Sequence, residues 1–225
     1  MSQGSSPLDE TAAVVVNPAI TGQPGSTADL TWTISLVAAI WVVSDLGYYY
    51  LFPALGLKPS YNAHPAWSAL YYAAWIPLAL LAFRRQYRGW FPLERSARLV
   101  IVLPGLAVGF AAYALYAPGL LPAVTWTESW PAPEILVAGP WYFLPKSVDI
   151  LFQQLLIVAL VVAMWRRQHQ LGRISISCGL IFGIAHLLLA FAGLPIMYVI
   201  RFTIFATLFG FLFPWLILRI WNGFV

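Results

Sequence analysis

Charge is what this chain most lacks, and cysteine comes next. Of its 225 residues only 9% are Asp, Glu, Lys or Arg, against roughly 25% in an ordinary soluble domain. That scarcity excludes a cytosolic enzyme, a nucleic-acid binder and a disordered protein, each of which needs a well-solvated charged surface. Cys178 is the single cysteine, so neither an intramolecular disulfide nor a cysteine metal cage is available. There is no Gly-rich phosphate loop, no His-Glu-x-x-His and no His or Cys pair at ligand spacing, so no metal site or cofactor is predicted. What fills the chain instead is apolar: 61% of residues are hydrophobic and 16% aromatic, with a mean hydropathy of +0.79.

A membrane-spanning helix needs about 20 mainly apolar residues. Six stretches qualify: 31–52, 66–83, 97–116, 145–165, 174–194 and 196–219. The predicted fold class is therefore all-α, a polytopic helix bundle over residues 31–225. Residues 1–30 carry Asp9, Glu10 and Asp29 without any Lys or Arg and read as a flexible tail rather than a signal peptide, because a basic start is missing. Residues 117–144 form a Pro- and Trp-rich connection whose Trp126, Trp130, Trp141, Tyr142 and Phe143 suit the headgroup level of a membrane. Pro77, Pro104 and Pro214 fall inside spans as candidate kinks, and no internal repeat of the transporter kind is visible.

Orientation follows from the basic residues. Arg84, Arg85, Arg88, Arg95 and Arg98 follow the second span, Arg166, Arg167 and Arg173 follow the fourth, and Arg219 ends the sixth. All three places lie on one side of a six-span bundle, while Lys58 and Lys146 lie on the other. The positive side faces the cytoplasm, so both termini are expected there, in the inner (cytoplasmic) membrane, with 117–144 outside.

An ionisable group at mid-bilayer costs at least about 2.5–3.5 kcal/mol unless it is paired or hydrated. Asp45, Lys146, Asp149, Gln153, Gln154, His186 and Arg201 are the polar residues of the spans, and those inside the helices sit on the order of 7 to 13 Å below the outer boundary at 1.5 Å per residue. Lys146, Asp149 and Gln153 share one helix face at i, i+3 and i+7. Matching depths predict that Asp45 or Asp149 pairs with Arg201. His186, on a helix of small residues, is expected to bond Gln153 or Gln154. Such a cluster locks helices together in its simplest role; in a catalytic one, His186, Gln153, Gln154 and Asp149 are the candidates. His64 and His169 read as surface residues, and Cys178 as a packing residue.

Phe182-Gly-Ile-Ala-His186, preceded one span earlier by Phe152-Gln153-Gln154-Leu155-Leu156, resembles the CPBP family, the membrane proteins related to CAAX prenyl proteases and bacteriocin-processing enzymes. The resemblance covers about the last 80 residues. In that family a Glu-Glu-x-x-x-Arg motif supplies the base that activates water, and Phe-x-x-x-His helps to hold the oxyanion. Here Gln153 and Gln154 stand at the glutamates and Val158 at the arginine, and Asn222-Gly-Phe-Val225 follows without the histidine of the third motif. An amide cannot act as a general base. The resemblance thus implies a non-catalytic relative, a subunit or scaffold of a membrane protein complex. Membrane lipids and other integral membrane proteins are its expected partners, and its aromatic outer face suits a bound lipid, quinone or pigment. The competing reading is an intramembrane peptidase with an atypical site, using Asp149 as base; a transporter is a third.

Overall fold

The computed structural model describes residues 27–87, 138–167, 169–192 and 195–219, with positions 105, 108, 109, 112, 115, 116, 120, 127 and 134 between them. Its regular structure is helical throughout, with no strand among the described residues. Helix α1 (Thr27–Leu46) passes through a π-helical turn, Gly47–Leu51, into the short α2 (Phe52–Ala54). Next come α3 (Pro65–Ala82) and α4 (Arg84–Tyr87). A 3₁₀ turn at Pro140–Tyr142 opens α5 (Phe143–Arg166), and α6 (Leu171–Leu187) and α7 (Ile196–Arg219) complete the bundle.

Five of these stretches are long and apolar enough to cross a membrane: Thr27–Ala54, Pro65–Ala82, Pro140–Arg166, Leu171–Ala190 and Ile196–Leu218. The protein is a multi-pass helical membrane protein. The span expected at 97–116 lies largely outside the described residues, although Gly105, Val108, Gly109, Ala112, Leu115 and Tyr116 are helical. The first span starts at Thr27, inside the stretch read as tail. Asp29 in its first turn meets the positive end of the helix dipole, and Thr33 Oγ1 donates to the Asp29 carbonyl at 2.8 Å. The fifth span stops being α-helical at Leu187 and tightens to a 3₁₀ turn, Leu188–Ala192, before Pro195, whose ring disfavours helix in the residue ahead of it.

Helix α5 is the hub. Its span is 67% buried within the chain, against 17–28% in the other four, and every residue from Leu155 to Met164 is buried. A run of Leu, Ile, Val and Ala with no polar side chain fits that place, since each face meets protein. Helices α1, α3, α4, α6 and α7 all pack on it. The outward faces of α6 and α7, with exposed Leu180, Ile184, Ile204, Phe205 and Leu212, are apolar as a lipid boundary requires.

Candidate functional site

Asp149 is buried, in the second turn of α5, and both oxygens of its carboxylate accept hydrogen bonds. Oδ2 accepts from Lys146 Nζ at 2.8 Å and from the Tyr61 hydroxyl at 3.0 Å; Oδ1 accepts from Gln153 Nε2 at 2.7 Å. Helical spacing supplies the first and third donors, at i−3 and i+4. Tyr61 comes from the loop between α2 and α3. Lys146 also lies 5.6 Å from the centroid of the Tyr61 ring, within cation–π range. Burial first, and the Asp149 carboxylate second, push the Tyr61 phenol far above its ordinary value, so it stays a donor.

The loop is held from outside as well. Glu134 Oε2 accepts from the Tyr61 backbone N–H at 2.8 Å, Asn62 Nδ2 donates to the Glu134 carbonyl at 3.2 Å, and Gly139 N–H donates to Asn62 Oδ1 at 3.0 Å. Tyr142, expected at the membrane surface, is instead buried with its ring 5.5 Å from that of Tyr61. Trp141 is 70% exposed, as an interfacial residue should be. Trp126 and Trp130 lie outside the described residues.

Behind Tyr61 stands a packed aromatic group. The Tyr48 ring centroid lies 5.6 Å from Tyr61 and 5.3 Å from Tyr72. Ser68 Oγ donates to the Ser60 carbonyl at 3.2 Å, so the 2.9 Å contact between Tyr48 and Ser68 is a bond donated by the phenol. Tyr71 donates to the Ser44 carbonyl at 2.6 Å, one turn before the π turn begins. Gly47 makes this approach feasible, because a methyl there would collide with the Tyr71 hydroxyl.

Two expected pairings are not formed. Arg201 bonds neither Asp45 nor Asp149: it is exposed on α7 with no partner among the described residues, and Lys146 takes its place in the ion pair. A residue three positions away on the same helix reaches the carboxylate without any change in helix packing, so matching depth does not decide the partner. His186 bonds neither glutamine. Its Nδ1 lies 2.7 Å from the Phe182 carbonyl, one turn back; a carbonyl only accepts, so Nδ1 carries the proton and Nε2 keeps its lone pair. The ring sits among Phe182 at 4.7 Å, Phe202 at 5.2 Å and Trp41 at 6.3 Å. Gln153 is committed to Asp149, and Gln154 is half-buried with no side-chain hydrogen bond among the described residues.

The structure does gather Asp45, Lys146, Asp149 and His186 at one level: Asp45 and His186 each lie within electrostatic reach of Lys146 and Asp149. Tyr61, Glu134, Tyr48 and Ser68 are the members that sequence reasoning missed. The available signal was Ser60-Tyr61-Asn62, a polar run in a short connection on the side of the membrane that holds Lys146. Among the described residues no group of three His, Cys, Asp or Glu could hold a metal. A narrow apolar cleft between α1, α5 and α6, lined by Val37, Trp41, Ile157, Leu160, Cys178 and Phe182, lies beside His186.

Chemically the arrangement has one strong anion with three donors on it and one histidine with a free lone pair, and the two do not bond each other. Comparison of the chain with protein-family models, with curated proteins and with solved structures finds no match.

Proposed function

We propose that this chain is a non-catalytic integral membrane protein, CPBP-like in its C-terminal third, that serves as a subunit or scaffold of a complex in the inner (cytoplasmic) membrane with both termini in the cytoplasm. The observation that carries the reading is that both oxygens of Asp149 are held by side-chain donors. A general base needs a lone pair directed at water, and the only carboxylate on the polar face of α5 is held by Lys146, Tyr61 and Gln153. Gln153 and Gln154 replace the acids that the resemblance would call for. Tyr61, the one of the three Asp149 donors that comes from outside α5, ties the loop between α2 and α3 to that helix. Other membrane proteins, lipids, quinones or pigments are the partners its apolar and aromatic faces suit. Purification in a mild detergent should return the chain with a stoichiometric membrane protein or a bound apolar molecule; a lone monomer, free of both, would refute the subunit reading.

The intramembrane peptidase keeps a place because His186 Nε2 has no hydrogen-bond partner among the described residues. That reading requires cleavage of a membrane peptide that is abolished by both His186→Ala and Asp149→Asn. Cleavage untouched by either change would remove it.

A further inference from the structure

At the end of the bundle opposite the Asp149 network, tertiary packing brings together basic residues far apart in sequence. Tyr87 at the end of α4 donates to the Leu155 carbonyl of α5 at 2.8 Å, and Gln86 donates to Thr33 of α1 at 2.9 Å, so α4 is held at a fixed place against two helices. There Arg166 Nη1 donates to the Arg85 backbone carbonyl at 2.9 Å, which sets the Arg84-Arg85 pair beside the Arg166-Arg167 pair. Arg167 reaches Thr27 at the start of α1, and Arg173 stands in the first turn of α6. Five guanidinium groups thus share one end of the molecule, where the described residues supply a single carboxylate, Asp29. Arg84, Arg85 and Arg173 are exposed and have no hydrogen-bond or ion-pair partner among the described residues.

Like charges held together by the fold, with so little counter-charge among the described residues, suit an external anion. Arginine favours phosphate, because its planar fork offers paired donors. The source of that phosphate follows from position. The cluster sits where α3 and α5 leave the apolar layer, and Leu80 and Leu81, in the last turn before Arg84, are exposed at 41% and 68%. A headgroup on the guanidinium groups would place its acyl chains along those leucines. We propose that the junction of α4, the end of α5 and the start of α6 is a binding site for an anionic phospholipid, with its phosphate held by Arg84, Arg85 and Arg167.

This rests on the membrane-spanning fold and not on the subunit reading: a chain purified without partners would end that reading and leave the lipid site standing. The full-length protein in detergent is titrated with phosphatidylglycerol and with phosphatidylcholine of matched chains, following its melting temperature and lipid retention by native mass spectrometry. Phosphatidylglycerol should be retained and should raise the melting temperature, and phosphatidylcholine should do neither. Arg84→Gln with Arg85→Gln should weaken phosphatidylglycerol binding by about 25-fold, roughly fivefold for each charge removed near a membrane surface. Both side chains lack partners among the described residues, so the variant should keep its fold; its melting temperature without lipid checks that. Arg201→Gln, at the other end of the spans, should leave binding unchanged. Equal effects of the two lipids, an unaffected double variant, or an equal loss in Arg201→Gln would overturn the site. So would full stabilisation by millimolar inorganic phosphate or glycerol phosphate, which would mark a small-anion site instead.

Discussion

The bundle is held in two different ways on its two flanks. On the side of α1 and α3, helices and loop meet α5 and one another through polar side chains and tyrosines: Tyr61 reaches Asp149 of α5 and Tyr87 the Leu155 carbonyl of α5, while Tyr48 with Ser68 and Tyr71 with Ser44 tie the first span to α3. Between α6 and α7, the most extensively packed pair, the helices meet backbone to backbone at glycines. A methyl added to Gly210 would lie 2.7 Å from the Gly179 Cα and 2.8 Å from the Cys178 carbonyl. Lipid is as apolar as leucine, so burying leucine does not drive spans together. Association must come from hydrogen bonds satisfied across helices or from van der Waals contact at small residues. This chain uses one solution on each flank.

Breaking either flank should leave the other intact, and the expected effects differ in size. Asp149→Ala is the most severe change, because it strands two hydrogen-bond donors and a partly exposed lysine; loss of one partner of a fully buried pair costs about 3–5 kcal/mol, and the exposure of Lys146 brings the expected loss to the lower end of that range. Denaturant titration in detergent should show that loss, and Asp149→Asn should cost less, since an amide oxygen still accepts. A drop under 1 kcal/mol for Asp149→Ala would show that the network contributes little to holding the α1 and α3 flank. Gly210→Val acts on the opposite flank. Forced separation of α6 from α7 should cost about 1–3 kcal/mol, the usual range for overpacking, and the buried Cys178 thiol should become open to alkylation. Cys178 should remain protected in Asp149→Asn; reactivity there would mean that the flanks are coupled.

Gly47→Ala tests the junction of α1 with α3. The displaced Tyr71 hydroxyl would leave the Ser44 carbonyl, with a loss of about 1–2 kcal/mol from an unmade hydrogen bond, measurable by melting temperature against Tyr71→Phe in the same background. If the two losses add in full, Gly47 is not there for Tyr71. The smallest effect belongs to Tyr61→Phe, which removes one of three donors from Asp149 and should cost about 0.6 kcal/mol, the mean for membrane hydrogen bonds. It carries a pH signature. The Tyr61 phenol is raised in the folded protein by burial and by Asp149, while in the unfolded chain it ionises near its ordinary value of about 10. Its contribution is present below that value and is lost as pH rises above it. The wild-type chain should therefore lose more stability than Tyr61→Phe between pH 10 and pH 11; parallel curves would show that the phenol is not shielded.

Much of this is legible in the sequence itself. The spans at 145–165 and 196–219 fall within α5 and α7 because apolar runs of that length admit little else, and Lys146, Asp149 and Gln153 share a face because they lie on one helix. Arg201 and His186 were misjudged for one reason: depth along a helix can be counted in residues, whereas rotation about the helix axis and the choice of neighbour cannot. Both found partners, or none, according to local geometry, with His186 turning to its own helix and Arg201 facing outward. Tyr61 stayed hidden because loop residues carry no periodicity to place them.

Composition alone determined that the chain is helical and lives in a membrane, since so few charges and such long apolar runs satisfy the backbone only as spanning helices. Spacing along α5 determined which residues can reach Asp149 from within that helix. Only the tertiary structure decided the rest: that α5 is the hub, that a loop tyrosine closes the network, that glycines bring α6 and α7 into backbone contact, and that two arginine pairs 81 residues apart meet at one end. Those outcomes depend on how helices rotate and pack against one another, and a single sequence does not encode that in any local pattern.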